Sequence, residues 1–392
     1  MQQIISTENK PIKLWLKDID SGAMEQAKNI ANLPFVHSHI AIMPDAHQGY
    51  GMPIGGVMAT DGVVVPNAVG VDIGCGMCAQ RTSLSSLENR QLKGIMDLIR
   101  KNVPVGFKHH KKPQDSRLMP KPEKQGVRVA DLPIVSSEYH NALTQLGTLG
   151  GGNHFIEIQK GSDGFIWIMI HSGSRNLGYR VANFYNKLAI ARAESFGIPV
   201  PKNWQLACLP VDSDEGRQYL REMEYCVAFA QTNRHVMMER VREALQTVAS
   251  PVRFGECINI AHNYARFETH FHKNVLVHRK GATSARKGET GIIPGSQGMP
   301  SYLVKGKGNQ ESFTSCSHGA GRKMGRKQAR RSLDLRKERK KLEDQGILHA
   351  VRGKRDLDEA PGAYKDIDQV IENQLDLVEV TVTLRPLGVI KG

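Results

Sequence analysis

Aromatic side chains are scarce in this chain, 6% of 392 residues, and several other features are missing. No apolar run approaches the roughly 20 residues needed to cross a bilayer, so no membrane-spanning segment is expected. The opening Met1-Gln2-Gln3 lacks the basic and then apolar stretches of a secretory leader. Six cysteines, at positions 75, 78, 208, 226, 257 and 316, are spread too widely for a disulfide framework. They fit a reducing, cytoplasmic setting. Low-complexity tracts, internal repeats and a clear linker are also absent, so one large domain over residues 1–392 is expected. Neither a Walker A nor a Rossmann fingerprint occurs, which removes two common phosphate-binding designs.

What is present is positive charge. Lys and Arg outnumber Asp and Glu by 53 to 39, a formal charge of +14. A globular chain this basic points first to a polyanion, and nucleic acid is the leading partner. A basic surface with no ligand is the competing reading. Short apolar runs alternate with Gly, Pro, Asn and Asp turns through the first ninety residues. Residues 155–175 read as a β-hairpin closed by Gly-Ser-Asp-Gly. Residues 214–249 carry helical periodicity, with Tyr219, Met223, Cys226, Val227 and Phe229 as core candidates. Residues 101–129 are basic and proline-containing, an exposed loop able to contact phosphates or simply to be solvated. A long basic helix is expected at about 322–345, and the chain closes with a helix and a strand. The class that fits is α+β, with mixed sheets.

Four stretches place metal-capable side chains in tight turns: "VDIGCGMC" (71–78), "GGGNHFIEI" (150–158), "HSGSR" (171–175) and "CINIAHNYA" (257–265). They offer Asp72, Cys75, His154, His171 and His262. A Gly-containing turn lets Asp72 and Cys75 point at one ion. A thiolate among imidazoles suits soft or borderline metals, and chemistry alone suggests zinc. Singly, each histidine is as well explained as an ordinary core or surface residue. Cys78 is left out of the ligand set.

Two loops of small residues, "GIIPGSQGMPS" (291–301) and "SHGAG" (317–321), expose backbone N–H groups suited to anionic oxygens. His318 stands in the second. A neutral imidazole is a competent nucleophile toward phosphorus, and Arg322 and Arg326, one and two helical turns on, can neutralise developing charge. A capping turn at a helix start explains the same residues.

The motifs "MPDAHQGYG", "GVDIGCGM", "LGTLGGGNHFIEI", "MIHSGSRNLG", "HRKGATSAR", "GIIPGSQG", "SHGAGR", "YKDID" and the terminal "VIKG" run in order from Met43 to Gly392. As a set, they resemble the RtcB family of RNA ligases. The resemblance implies an enzyme that joins RNA ending in a 2′,3′-cyclic phosphate or 3′-phosphate to RNA beginning with a 5′-hydroxyl, using GTP and two Mn2+ ions. It makes His318 the residue that takes up GMP. It assigns Asp72, Cys75 and His154 to one Mn2+, and Cys75, His171 and His262 to the other. Around the guanosine nucleotide it places Asn153, His154, Phe155, Ile156, Glu157, His262, Asn263, Pro294, Gly295, Ser296, Gln297, Ser301, His318, Gly319, Ala320, Gly321 and Lys391. Arg175 and Arg322 would meet RNA or reaction-centre phosphates, and Asp45 would orient the metal site.

The same resemblance implies an activated RNA-(3′)pp(5′)G end, a role in tRNA splicing or RNA repair, and an archease-like activator as a possible partner. A monomer is expected. Gly325 stands where many relatives carry Ser, which touches a helix cap and not the nucleophile. Two rival readings survive at this stage. One is a metal-dependent cyclic phosphodiesterase or phosphatase acting on RNA ends without ligation. The other is a non-catalytic RNA-binding protein that responds to guanine nucleotides.

Overall fold

A computed structural model describes residues 1–122 and 126–392. Strand Val36–His47 is buried along most of its length, the mark of a strand covered on both faces. Its alternating side chains divide between two cores. Ile40 and Ile42 pack with Ala27 and Ile30 of helix Ser21–Ala31, while Ala41 and Met43 join Val57, Ala59 and Val277 on the other side. This strand sits inside a six-stranded sheet in the order Gln3–Ile5, Ile12–Leu14, Val36–His47, Ile54–Thr60, Lys273–Lys280, Asn263–His270. The pairing of Ile12–Leu14 with Val36–His47 is parallel and the others are antiparallel, so the sheet is mixed.

A second, seven-stranded sheet is antiparallel throughout. Its order is Phe254–Ala261, Gly76–Thr82, Ile166–Ser172, Phe155–Gly161, Val378–Lys391, Ser301–Gly306, Thr290–Ile293. Here, too, the period of two assigns side chains to faces. Ile156, Ile158, Ile166, Ile168 and Ile170 pack under helices Asn89–Asn102 and Asp214–Ala249. Phe155, Trp167 and Met169 face Leu342, Ile347 and Val351. Each fully buried aliphatic side chain contributes about 1.5–3 kcal/mol, so one register slip would forfeit a whole row.

The hairpin expected at 155–175 forms as Phe155–Gly161 and Ile166–Ser172. Helix Asp214–Ala249 is also as read, with all five core candidates buried. Ser213 caps it by accepting from Gly216 N–H at 3.0 Å, and Asp214 and Glu215 sit in the first turn, where the helix dipole favours negative charge. Pro251 follows its end.

Two expectations need correction. The single basic helix at 322–345 is instead two short helices, Arg326–Ser332 and Leu335–Glu343. Asp334 breaks the run: it is extended and its carboxylate accepts from Lys337 N–H at 2.9 Å, starting a new helix. Segment 101–129 is largely exposed, yet it contains the end of helix Asn89–Asn102, a 3-10 turn at Ser116–Leu118 and a buried Met119. Its residues 123–125 lie outside the described part. Among the described residues no helix is long and apolar enough to cross a membrane, and all six cysteines are free thiols.

Candidate active site

The turn before strand Gly76–Thr82 carries Asp72 and Cys75, and the hairpin supplies His154 at its entry and His171 at its exit. His262 follows strand Phe254–Ala261, whose last residue pairs with Gly76. Four adjacent strand ends therefore deliver five candidate ligands to one point. Asp72 Oδ2 lies 3.1 Å from His154 Nε2, Cys75 Sγ is 3.4 Å from His154 Nε2 and 3.3 Å from His171 Nε2, and His171 Nε2 is 3.4 Å from His262 Nε2. They form two groups that share Cys75: Asp72–Cys75–His154 and Cys75–His171–His262. Within each group the donor atoms lie within 4.8 Å of one another.

Backbone contacts orient the rings. Nδ1 of His154 is 3.0 Å from the Leu149 carbonyl and Nδ1 of His171 is 3.1 Å from that of Asn153. Each carbonyl fixes the proton on Nδ1 and leaves Nε2 with its lone pair toward the cluster. Burial holds His171 and His262 well below the ordinary imidazole range, so both stay neutral and able to ligate. Arg234, fully buried on the long helix, donates to the carbonyls of Gly74 and Ser172 at 2.9 Å and to Asn259 at 2.7 Å. One guanidinium thus ties together three of the four segments that carry the candidate ligands, those of Cys75, His171 and His262.

His318 stands beside this cluster, its ring centroid 4.8 Å from that of His262. Its Nδ1 is 2.6 Å from Asp45 Oδ2, and its backbone N–H donates to the same oxygen at 3.2 Å. Burial alone would raise the Asp45 pKa, but the charge and hydrogen bond of His318 hold it below the ordinary carboxylate value. The pairing consumes Nδ1 and leaves Nε2 facing the cleft. The close approach depends on Gly321, whose φ is +71° and where a Cβ would lie 2.1 Å from the Asp45 carbonyl oxygen.

A cleft of ≈ 1850 Å³ connects these groups. Its lining includes Asp72, Cys75, Asn153, Phe155, Glu157, His171, His262, Asn263, Pro294 to Gln297, His318 to Gly321, Arg322 and Lys391. Strand alternation sends Phe155 and Glu157 toward it and puts the Ile156 side chain in the opposite core, so only the backbone of Ile156 is available there. Ser301 braces the 294–297 loop, accepting from Gly295 N–H at 3.2 Å. Ala320 packs into a core cluster. Arg175 lies behind the candidate metal ligands, 3.4 Å from His154 Nδ1 and against Gly150, where any Cβ would strike its guanidinium at 2.1 Å.

Arg322 is not on a helix, because the helix begins only at Arg326. Both arginines are instead gathered by Glu359, which sequence reasoning missed. Arg322 and Arg326 donate to its Oε1 at 3.3 and 2.7 Å, and Tyr364 and Lys391 donate to its Oε2 at 2.6 and 2.8 Å. Burial opposes the charge on Glu359, but Lys391 and Arg326 bring its pKa down to about 2. Glu157, two residues along from Lys391's partner Phe155, goes the other way: burial pushes it up to about 8 despite Lys391 and a hydrogen bond from Gln159. Lys280 was also missed as a cleft residue. It is buried, its amine pushed down to about 7, and it donates to the Asn67 carbonyl at 2.9 Å. The signal was present in "HRKGATSAR", but nothing local marks its lysine as facing a cleft.

A cluster of buried Cys75, His154, His171 and His262 with a half-buried Asp72, next to a carboxylate-held histidine in a cleft walled by cations, suits phosphoryl or nucleotidyl transfer. The family model described as "tRNA-splicing ligase RtcB" matches residues 26–392. The chain belongs to the RtcB family. It is 40% identical to the RNA-splicing ligase RtcB of Escherichia coli K12 over 413 residues, covering 100% of this chain and 99% of that protein. The tRNA-splicing ligase RtcB of Thermococcus kodakarensis is 34% identical, covering 94% and 91% of the two chains. An RtcB from Mycobacterium bovis, also named as an RNA-splicing ligase, is 33% identical over 94% of this chain. The chain is accordingly an RNA ligase, and the ligation reading is favoured over the phosphodiesterase alternative.

Proposed function

We propose that this RtcB protein joins RNA ends bearing a 2′,3′-cyclic phosphate or 3′-phosphate to 5′-hydroxyl ends, with GTP as co-substrate and Mn2+ as its metal. The observation that carries the reading is the placement of His318, whose Nδ1 is engaged 2.6 Å from Asp45 while its ring abuts His262 of the metal-capable cluster. That arrangement leaves Nε2 as the nucleophile toward the α-phosphate of GTP, forming the bond to phosphorus as the α–β anhydride breaks and pyrophosphate leaves. Asp45 stabilises the positive charge that His318 acquires as the bond to phosphorus forms. A simple metal phosphodiesterase could use such a pair for acid–base work but would form no covalent bond to it.

The donor set fits two divalent ions that share Cys75, with Asp72 and His154 completing one site and His171 and His262 the other. Bound there, the ions would supply Lewis-acid polarisation of phosphoryl oxygens. Cys75 would ligate as a thiolate, since a bound cation would override the burial and the Asp72 charge that otherwise raise its pKa. Lys391, Glu157 and the 294–297 loop would hold the guanosine end. Arg175 and Arg322 would engage phosphates of the RNA. A 2′,3′-cyclic end would first be opened by water to a 3′-phosphate and a 2′-hydroxyl; the 3′-phosphate then displaces His318 from GMP to give RNA-(3′)pp(5′)G, and the 5′-hydroxyl expels GMP. We further assign the protein to the cytoplasm as a monomer serving tRNA splicing or RNA repair, with an archease-like activator as a candidate partner.

The test uses purified protein, Mn2+ and GTP labelled at the α-phosphate, with and without an activator. Label should stay on the denatured chain, be released by acid and survive alkali, and be lost in His318→Ala. A His318→Ala protein that seals 3′-phosphate ends at the parent rate would overturn the proposal.

A further inference from the structure

Away from the cleft, Cys78 and Cys257 face each other on neighbouring strands with their Sγ atoms 3.1 Å apart. Neither belongs to the metal-capable groups. In the ladder between Gly76–Thr82 and Phe254–Ala261, Cys78 pairs with Asn259 and Cys257 with Gln80. The two cysteines are therefore diagonal neighbours on one face of the sheet. Diagonal positions on a regular ladder lie about 7–8 Å apart, wide for thiol contact. The register from Cys257 to Asn259 is regular, but a register shift lies immediately beyond Cys257, toward Phe254, and a bulge bends and twists the strand beside it. Closing a disulfide from here needs the sulfurs to approach by only about 1 Å.

The two thiols differ in access and in chemistry. Cys78 is wholly buried, whereas Cys257 is partly exposed. A hydrogen bond from the Cys78 thiol pushes the Cys257 pKa down, with Arg242 and Arg234 adding to the effect against burial. The same contact, together with burial, pushes Cys78 up. The accessible sulfur is thus the better nucleophile and the buried one keeps its proton nearby.

We propose that Cys78 and Cys257 are a modification site, a dithiol that closes reversibly to an intrachain disulfide on reaction with a low-molecular-weight disulfide such as glutathione disulfide. The Cys257 thiolate attacks one sulfur of the oxidant, whose S–S bond breaks and releases one glutathione thiolate. Cys78 then gives up its proton and attacks the Cys257 sulfur, which breaks the mixed disulfide and releases the second glutathione. Two cysteine thiols are oxidised and one glutathione disulfide is reduced to two thiols. The strands so joined end at Cys75 and His262, and His262 N–H donates to the Cys75 carbonyl at 2.8 Å. Oxidation therefore staples the frame that carries two metal ligands and spares the ligand thiol Cys75, which is 2% exposed.

The test is mass spectrometry of the full-length Mn2+-loaded protein equilibrated with mixtures of reduced and oxidised glutathione, and it needs no GTP or RNA. It therefore stands or falls separately from the ligase reading. The intact chain should lose the mass of two hydrogen atoms, and fragment ions should place the link between Cys78 and Cys257. Dithiothreitol should reverse it. Cys78→Ser and Cys257→Ser should each abolish the link, and Cys208→Ser should leave it unchanged. Because Cys257 is at the partly exposed end, its serine variant keeps the test usable if the buried Cys78→Ser does not fold. A link through Cys75, or a chain that stays fully reduced in glutathione disulfide alone, would overturn the proposal.

Discussion

Asp45 Oδ2 lies 2.6 Å from Nδ1 of His318, across 273 residues of sequence. The carboxylate is fully buried, and its second oxygen, Oδ1, has no hydrogen-bond partner among the described residues. It is thus committed to the histidine. Asp45→Asn keeps the shape and removes the charge that would stabilise the guanylylated imidazole of the proposed intermediate. Covalent labelling from GTP should slow by about 10²–10⁴-fold, the range for loss of a positioned acid–base or electrostatic partner. Metal content, measured in parallel by mass spectrometry, should not change. Equal labelling rates would assign Asp45 to folding alone.

Cys75 is the one residue common to both ligand groups. Cys75→Ala should therefore lower Mn2+ binding at both sites, while His262→Ala should spare the site formed with Asp72 and His154. Metal titration followed by electron paramagnetic resonance reads this directly: paired-ion coupling should vanish in both variants, but a single-ion signal should persist in His262→Ala. A Cys75→Ala protein that still binds coupled pairs would show that the groups do not share a bridging thiolate.

Glu157 gives a pH dependence with a definite sign. Its folded pKa is raised to about 8 by burial, against about 4.3 for an unfolded Glu. Between those values the folded chain binds the extra proton, so stability contributed by this group falls as pH rises from about 4.3 to 8. Glu157→Gln mimics the protonated form and should flatten the profile. Melting temperature from pH 6 to 8 should drop more in the parent than in the variant. The same substitution should preserve GTP binding better than Glu157→Ala, because the amide retains a hydrogen-bonding end.

Much of the site was legible because its chemistry sits in contiguous turns. Asp72, Cys75, His154, His171 and His262 each lie at a strand end flanked by glycine or a small turn, and the sheet order does the rest. What stayed hidden depends on distant pairing. Glu359 acquires meaning only when strand Val378–Lys391 enters the middle of the second sheet and brings Lys391 opposite Phe155. No local pattern in "DEAPGAY" announces that. The long basic helix failed for a different reason: helical propensity ran through Ser332 to Asp334, but a short polar side chain that can cap its own backbone competes with helix continuation. Mixed sheets were expected and the first sheet is one, but periodicity does not reveal that its single parallel pairing falls at Ile12–Leu14.

Gly321 and Gly319 offer a paired test of the nucleophile's loop. At Gly321 a Cβ would sit 2.1 Å from the Asp45 carbonyl oxygen, at φ +71°. At Gly319 the nearest atom would be the Pro294 carbonyl oxygen at 3.3 Å, with no left-handed backbone to strain. Gly321→Ala must therefore push the 318–321 loop off Asp45, at a cost of about 1–3 kcal/mol from strained φ alone. It should cut GTP labelling by more than tenfold and lower the melting temperature. Gly319→Ala asks the 294 loop to yield only a few tenths of an ångström, so its effect on melting should be small and any loss should appear in GTP affinity. If the two alanines behave alike, the close approach at Gly321 does not set the histidine–aspartate contact, and Asp45 positions His318 by its side chain alone.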